Sequence, residues 1–281
     1  MKDRLRLLRP AHCLKNVLVL LPLIFSGRLH DGASALRAGA GFVCFCTLAM
    51  SVYLLNDLCD RAADRRHPRK CLRPLASGAV RPAEAAAIMA ALLLLTAALG
   101  LWMRLSGRAW ACLGAYFVVN LFYSLWLKKV PIVDVSLLAC GFLLRVQFGA
   151  EVIGVPVSSW LYLTVLFFSF YFGFGKRRGE LRQGVASRRV LEFYSAAFLD
   201  RAMQLCMTLA LVFYSLWSAG AGMAGERMLW TVPLAVCICL KYGSALDADT
   251  DGDPIEVLLH DRVLLVLAAA FAALVLALLY L

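Results

Sequence analysis

Residues 56–78 read N-D-L-C-D-R-A-A-D-R-R-H-P-R-K-C-L-R-P-L-A-S-G and lie between two long apolar runs. Asn56, Asp60 and Asp64 recur every four residues and Asp57 stands three before Asp60, so on a helical end all four side chains share one face. Isolated carboxylates at the end of an apolar span are costly to strip of water and call for a partner, and a hard divalent ion is the natural one. Mg²⁺ holding a phosphate suits the sequence that follows. Arg65, Arg66, His67, Arg69, Lys70 and Arg73 form an array of donors for phosphate oxygens that a metal leaves uncovered. The pattern predicts Asp57, Asp60 and Asp64 as metal ligands and catalytic carboxylates, with Asn56, Arg65, His67, Lys70 and Arg73 around the bound phosphate. A loop made basic by membrane topology alone is the alternative for the Arg and Lys run, but it does not explain the spaced acids.

Composition fixes the setting of this polar stretch. The chain has 281 residues, 62% of them hydrophobic, against roughly 45–50% in soluble domains. Runs long enough to cross a bilayer fall near 12–30, 36–57, 84–103, 109–127, 131–153, 156–175, 192–220, 228–246 and 262–281. The expected fold is all-α: a polytopic membrane protein of nine spans in one domain over 1–281. The first span is the weakest, because Pro22 interrupts it and Lys15 and Asn16 stand near its start. Residues 1–15 are basic, but no small-residue cleavage site closes a short apolar core, so no cleavable signal is expected.

Charge sets the orientation. With the N-terminus in the cytoplasm, the leader (Lys2, Arg4, Arg6, Arg9, Lys15) and most loop cations fall on one side, and only Arg28, Arg37, Arg104, Arg108 and Arg227 on the other. The net charge of +11 is then topology plus anion binding. Nucleic acid is not expected, because the cations are not interleaved with exposed aromatics. Of the ten cysteines, seven lie inside apolar spans, where the thiol behaves as a small hydrophobe, and no pair of pairs has zinc spacing.

Further polar groups mark the ends of other spans. Lys15 and Asn16 sit at the mouth of the first, where the lysine either snorkels or meets phosphate. Asn120, Ser124 and Lys128 form a stripe bordered by Tyr123 at the end of the fourth. The fifth carries Asp134 and, three turns on, Arg145; ionisable groups at such depth usually face a polar cavity, and Arg145 is the deepest candidate anion binder, with a structural ion pair as the alternative. After the sixth span, G-K-R-R-G-E-L-R-Q-G presents Lys176, Arg177 and Glu180 in what reads as a loop. Before the last span, K-Y-G-S-A-L-D-A-D-T-D-G-D-P-I-E presents Tyr242, Asp247 and Asp249. Its D-x-D-x-D-G order approaches a calcium loop, but the pattern needs a glutamate where Leu258 stands, leaving a second Mg²⁺ contact as the expectation.

Taken together, these segments resemble the UbiA superfamily of intramembrane transferases, in which N-D-x-x-D-x-x-x-D after the second span binds Mg²⁺ and a diphosphate. The chain is most similar to the branch of decaprenyl-phosphate phosphoribosyltransferases, through R-P-A-H-C-L-K-N-V-L-V-L-L-P-L at 9–23, the 56–78 stretch, F-Y-S-L-W-L-K at 122–128, G-F-L-L-R-V-Q-F-G-A at 141–150, K-R-R-G-E-L at 176–181 and D-P-I-E-V-L-L-H-D-R-V-L at 253–264. The resemblance implies nine helices around a central cavity open to the cytoplasmic face, and Mg²⁺-dependent transfer of 5-phosphoribosyl from phosphoribosyl pyrophosphate to a polyprenyl phosphate. Aromatic prenyltransferases of the superfamily carry a second aspartate motif after the sixth span, where this chain has Lys176, Arg177 and Arg178 beside a single Glu180. A basic pole opposite an acidic one suits a donor with phosphate at both ends. Two other classes stay open: a prenyltransferase moving an isoprenoid from its diphosphate to another acceptor, and a lipid-phosphate carrier using Asp134 and Arg145 as pathway residues. A homo-oligomer is also compatible with the sequence.

Overall fold

A computed structural model describes residues 2–66, 70–182, 189–220, 225–246 and 254–281. Their regular structure is entirely helical. Among the described residues, six helices are long and apolar enough to cross a membrane: Gly32–Asp64, Pro82–Trp102, Val133–Ile153, Ala196–Ala219, Glu226–Leu246 and Arg262–Tyr280. The protein is an all-α, polytopic integral membrane protein. The remaining three expected spans are less uniform. Gly107–Leu125 contains Arg108 and Asn120, and Ser159–Arg182 ends in a run of charges. The first is broken: a 3-10 helix, Pro10–Leu20, passes into a short α-helix, Leu21–Phe25. Pro22 has no N–H to donate and is at home only in a first turn, so the interruption expected at Pro22 is where the 3-10 helix gives way to a new α-helix.

The α-helices run in the order α1 (Lys2–Leu8), α2 (Leu21–Phe25), α3 (Gly32–Asp64), α4 (Pro74–Ser77), α5 (Pro82–Trp102), α6 (Gly107–Leu125), α7 (Val133–Ile153), α8 (Ser159–Arg182), α9 (Ala196–Ala219), α10 (Val232–Leu246), α11 (Pro254–His260) and α12 (Arg262–Tyr280). They form two compact units, one of residues 1–130 and 144–156, the other of 131–143 and 157–281. The boundary falls within α7.

In the first unit α3 is the central element. Asp31 caps it, accepting from the backbone N–H groups of Ala33 and Ser34. At 33 residues it is about 50 Å long at ~1.5 Å per residue, well beyond the ~30 Å of a hydrocarbon layer. Its last turns, which carry Asn56 to Asp64, therefore reach the polar boundary while remaining helical. Phe45 packs on Tyr116 of α6 and Phe148 of α7, with ring centroids 4.7 and 5.4 Å apart. Thr47 and Thr96 share a hydrogen bond of 2.8 Å between α3 and α5, a polar link of the kind membrane helices use. Gly149 lets α7 lie against the first 3-10 helix, since a Cβ there would come within 2.0 Å of the Val19 carbonyl oxygen.

In the second unit α8 pairs with α9, and Tyr171, Phe174, Tyr194, Leu199 and Tyr242 form its core. The segment K-R-R-G-E-L-R, expected as a loop, continues α8 to Arg182. Lys, Arg, Glu and Leu are good helix formers, and Arg177 pairs with Glu180 one turn on, which favours the extra turns.

Candidate active site

The end of α3 brings Asp57 and Asp64 inside while Asp60 stays partly open. Their charges are met by cations from three other segments of the first unit. Arg9, between α1 and the first 3-10 helix, donates from Nη2 to Asp57 Oδ1 at 2.5 Å. Arg73, which precedes α4, donates from Nη1 to Asp64 Oδ2 at 2.6 Å and to Asp57 Oδ1 at 3.3 Å. Lys128, just beyond α6, donates to Asp60. Ser124 donates to Asn56 Oδ1 at 3.3 Å, so the polar stripe expected at the end of α6 does meet the α3 motif. Arg65 instead turns away, donating from Nε to the Ala76 carbonyl at 3.0 Å. It supports the turn through α4 to Gly78, whose φ of +86° glycine adopts without penalty.

A divalent cation fits this donor set. One cationic nitrogen, Arg73 Nη1, stands within 3.3 Å of carboxylate oxygens from both Asp57 and Asp64, so those two oxygens already converge on a single positive point. Among the described residues no three Asp, Glu, His or Cys side chains gather as a ready metal cage. Mg²⁺ does not require one: it keeps several waters and commonly takes one or two carboxylates together with substrate phosphates.

Deeper in the same unit, Arg145 of α7 is buried. Its Nε donates to Asn16 Oδ1 at 2.8 Å and its Nη2 to the Tyr116 hydroxyl at 2.8 Å. The guanidinium also faces the rings of Tyr116 and Phe45, at 4.8 and 5.3 Å. Asn16, fully buried, donates in turn to Cys46 Sγ at 3.2 Å. Asn16 and Arg145 thus belong to one cluster; Lys15 and Tyr123 are half-buried in the same unit. Lys70 too is half-buried, in the short 3-10 turn before Arg73.

The second unit holds a different polar cluster. Arg177 and Asp134 are both fully enclosed, with Arg177 Nε donating to Asp134 Oδ2 at 2.5 Å and Nη1 to Glu180 Oε2 at 2.6 Å. The Tyr194 hydroxyl donates to Asp134 Oδ1 at 2.8 Å and accepts from the Ile132 N–H at 2.5 Å. Burial, with the bond to Asp134, pushes the Tyr194 phenol up to about 12. Ile132 has φ +67°, an outlier for a β-branched residue. Lys176 is half-buried, and Tyr242 packs edge-on against Tyr171 and Phe172. His67, Asp247 and Asp249 lie outside the described residues. Arg9, Tyr116 and Tyr194 carry contacts that the spacing of the motifs does not reveal; the hints for Arg9 are its place among the leader cations and at the head of the segment 9–23.

A helical membrane protein with an N-D-x-x-D-x-x-x-D turn at the end of a long span belongs to a recognisable class of transferases. The chain belongs to the UbiA prenyltransferase family, whose profile matches residues 19–260. Among curated proteins it is 34% identical over 279 residues to the decaprenyl-phosphate phosphoribosyltransferase of Corynebacterium glutamicum, covering 95% of this chain and 83% of that one. It is likewise 34% identical to the enzyme of the same name from Mycolicibacterium smegmatis over 286 residues, 95% of this chain and 89% of that one. The solved structure of a UbiA homolog from Archaeoglobus fulgidus bound to DMAPP and Mg²⁺ shares the fold, with a TM-score of 0.71, 21% identity and 98% of each chain covered.

Proposed function

We propose that this protein transfers a 5-phosphoribosyl group from phosphoribosyl pyrophosphate to a polyprenyl phosphate, releasing pyrophosphate. The observation that carries the reading is the likeness to decaprenyl-phosphate phosphoribosyltransferases along 95% of the chain. It is supported by an acidic turn in which Asp57 and Asp64 converge on one cation, Arg73, with Arg9 and Lys128 beside it. Asp57, Asp60 and Asp64 would hold Mg²⁺, which supplies a Lewis acid for the charge that grows on the departing pyrophosphate. Arg73, Lys128 and Lys70 orient the diphosphate from the protein side. A lipid phosphate oxygen attacks ribose C1 as the C1–O bond to pyrophosphate breaks. Phosphate monoesters are largely ionised near neutral pH, so the acceptor needs no general base. Arg145, amid Asn16, Tyr116 and Phe45, is the site we assign to the lipid phosphate.

The finer topology is part of the same reading: one transferase domain, nine spans counting the broken first one, and an N-terminus and acidic turn on the cytoplasmic face, in keeping with the distribution of Arg and Lys. The test is direct. Purified protein in detergent is supplied with Mg²⁺, decaprenyl phosphate and phosphoribosyl pyrophosphate, and lipids are analysed by mass spectrometry. A lipid heavier by one phosphoribosyl unit is expected, lost on chelation of the metal. If pure, monodisperse protein gives no such lipid but consumes an isoprenyl diphosphate, the chain is a prenyltransferase instead.

A further inference from the structure

We propose that Arg9, on the N-terminal leader, couples the metal to the diphosphate by changing partners: it neutralises Asp57 in the absence of substrate and passes to the diphosphate when metal and diphosphate bind together. The inference rests on the reading that the acidic turn of α3 holds a metal diphosphate, and it assigns the leader a part in that site.

Three observations meet at Arg9. Its side chain ends on Asp57, the most buried carboxylate of the motif, yet is itself 19% exposed, so it can move without first being dug out of the core. Its backbone is left-handed, at φ 48° and ψ 58°. For a residue other than glycine that conformation is disfavoured, and a following proline favours the extended region instead. Residues held this way concentrate where function needs a side chain in one place. The leader is also anchored just before this point and at the guanidinium itself. Leu7 is buried against Leu54, Leu75, Val80 and Ala85, and the Tyr53 ring lies 6.0 Å below the guanidinium.

Charge balance gives the direction of the effect. Asp57, Asp60 and Asp64 face Arg9, Arg73 and Lys128, so each carboxylate of the turn already has a cation. A metal arriving alone must compete with those cations for the carboxylates. A diphosphate arriving alone must draw the cations away from the same carboxylates. When both arrive, the metal takes the acids and the released cations take the phosphates, and each ligand removes the obstacle to the other. Such coupling is reciprocal by linkage. Arg9 is suited to this exchange because its planar fork pairs with carboxylate or phosphate alike.

The experiment measures the coupling itself. Mn²⁺ is used in place of Mg²⁺, its binding followed by electron paramagnetic resonance with and without inorganic pyrophosphate at known free concentrations. In wild type, pyrophosphate should tighten Mn²⁺ binding by a factor within the usual range of about 5 to 150. In Arg9→Gln, Mn²⁺ alone should bind more tightly while the coupling factor falls toward one; Arg9→Lys should retain most of it. Arg4→Gln removes the same charge from the same leader, but Arg4 pairs with Glu84 instead, and its coupling should equal that of wild type. Coupling that is absent in wild type, unchanged in Arg9→Gln, or lowered equally in Arg4→Gln would overturn the proposal. Coupling with pyrophosphate does not require sugar transfer, so an inactive protein that shows it would sink the phosphoribosyl reading and leave this inference standing.

Discussion

At the end of α3, Asp57 and Asp64 are neutralised by Arg9 and Arg73, cations that keep 19% and 28% of their side chains exposed, whereas Asp134 of α7 and Arg177 of α8 show none at all. The chemistry of the pairs is the same and the consequence differs. A partly exposed cation can leave its carboxylate and be rehydrated at smaller cost, so its partner can be taken over by a ligand. A fully enclosed pair cannot be parted without leaving a charge stranded in a poorly polarisable interior. The first arrangement suits a binding site and the second holds helices in place. Arg177, expected to meet the far phosphate of the donor, is instead turned inward onto Asp134 and Glu180.

The sharpest way to break this comparison is to make one substitution at both places. Asp134→Ala should lower stability by about 3–5 kcal/mol, because it takes away the fully enclosed partner of Arg177 and the acceptor of Tyr194, leaving Arg177 only the more open Glu180, and thermal unfolding in detergent would register it. Asp57→Ala should leave the unfolding temperature within a few degrees of wild type, yet reduce turnover at least about a hundredfold, since loss of a metal-binding carboxylate removes several kcal/mol of transition-state stabilisation. Equal destabilisation by the two would erase the distinction. Tyr194→Phe is a smaller cut into the enclosed cluster. It deletes one donor to Asp134 and one acceptor for the Ile132 N–H, and at about 0.5–1.5 kcal/mol for each bond it should cost roughly 1–3 kcal/mol, with the Michaelis constant for the donor unmoved. The smallest effect is expected from Ile132→Gly. Relief of the left-handed backbone, about 1–2 kcal/mol, is partly offset by the flexibility glycine adds to the unfolded chain, leaving a gain of about 1 kcal/mol or less. A clear loss of stability there would mean that the isoleucine side chain contributes more than its backbone conformation costs.

Much of the site was legible before any coordinates. Periodicity alone aligned Asn56, Asp57, Asp60 and Asp64 on one face, because i, i+4 neighbours on a helix share a side whatever lies around them. The depth of Arg145 and Asp134 followed from the apolar residues on either side of each. The reading of 176–182 as a loop went astray for a physical reason: a run of charges signals exposure, but an exposed helix and an exposed loop look alike in composition, and a helix lets one charge of the run face inward. The first span is the converse case, where hydropathy indicated a crossing but Pro22 divides it into a 3-10 and a short α-helix.

The sequence by itself determined that this is a helical membrane protein with a spaced acidic turn and a surplus of cations to answer it, since hydropathy and helical period are local properties of the chain. Only the tertiary structure decided which cation answers which acid. Arg9 lies 48 residues from Asp57 and Lys128 lies 68 from Asp60, while Arg177 reaches Asp134 across 43. Charge spacing along a chain carries no information about such pairings, because they depend on how helices pack. Burial, which separates an exchangeable ion pair from a locked one, exists only after the helices have packed.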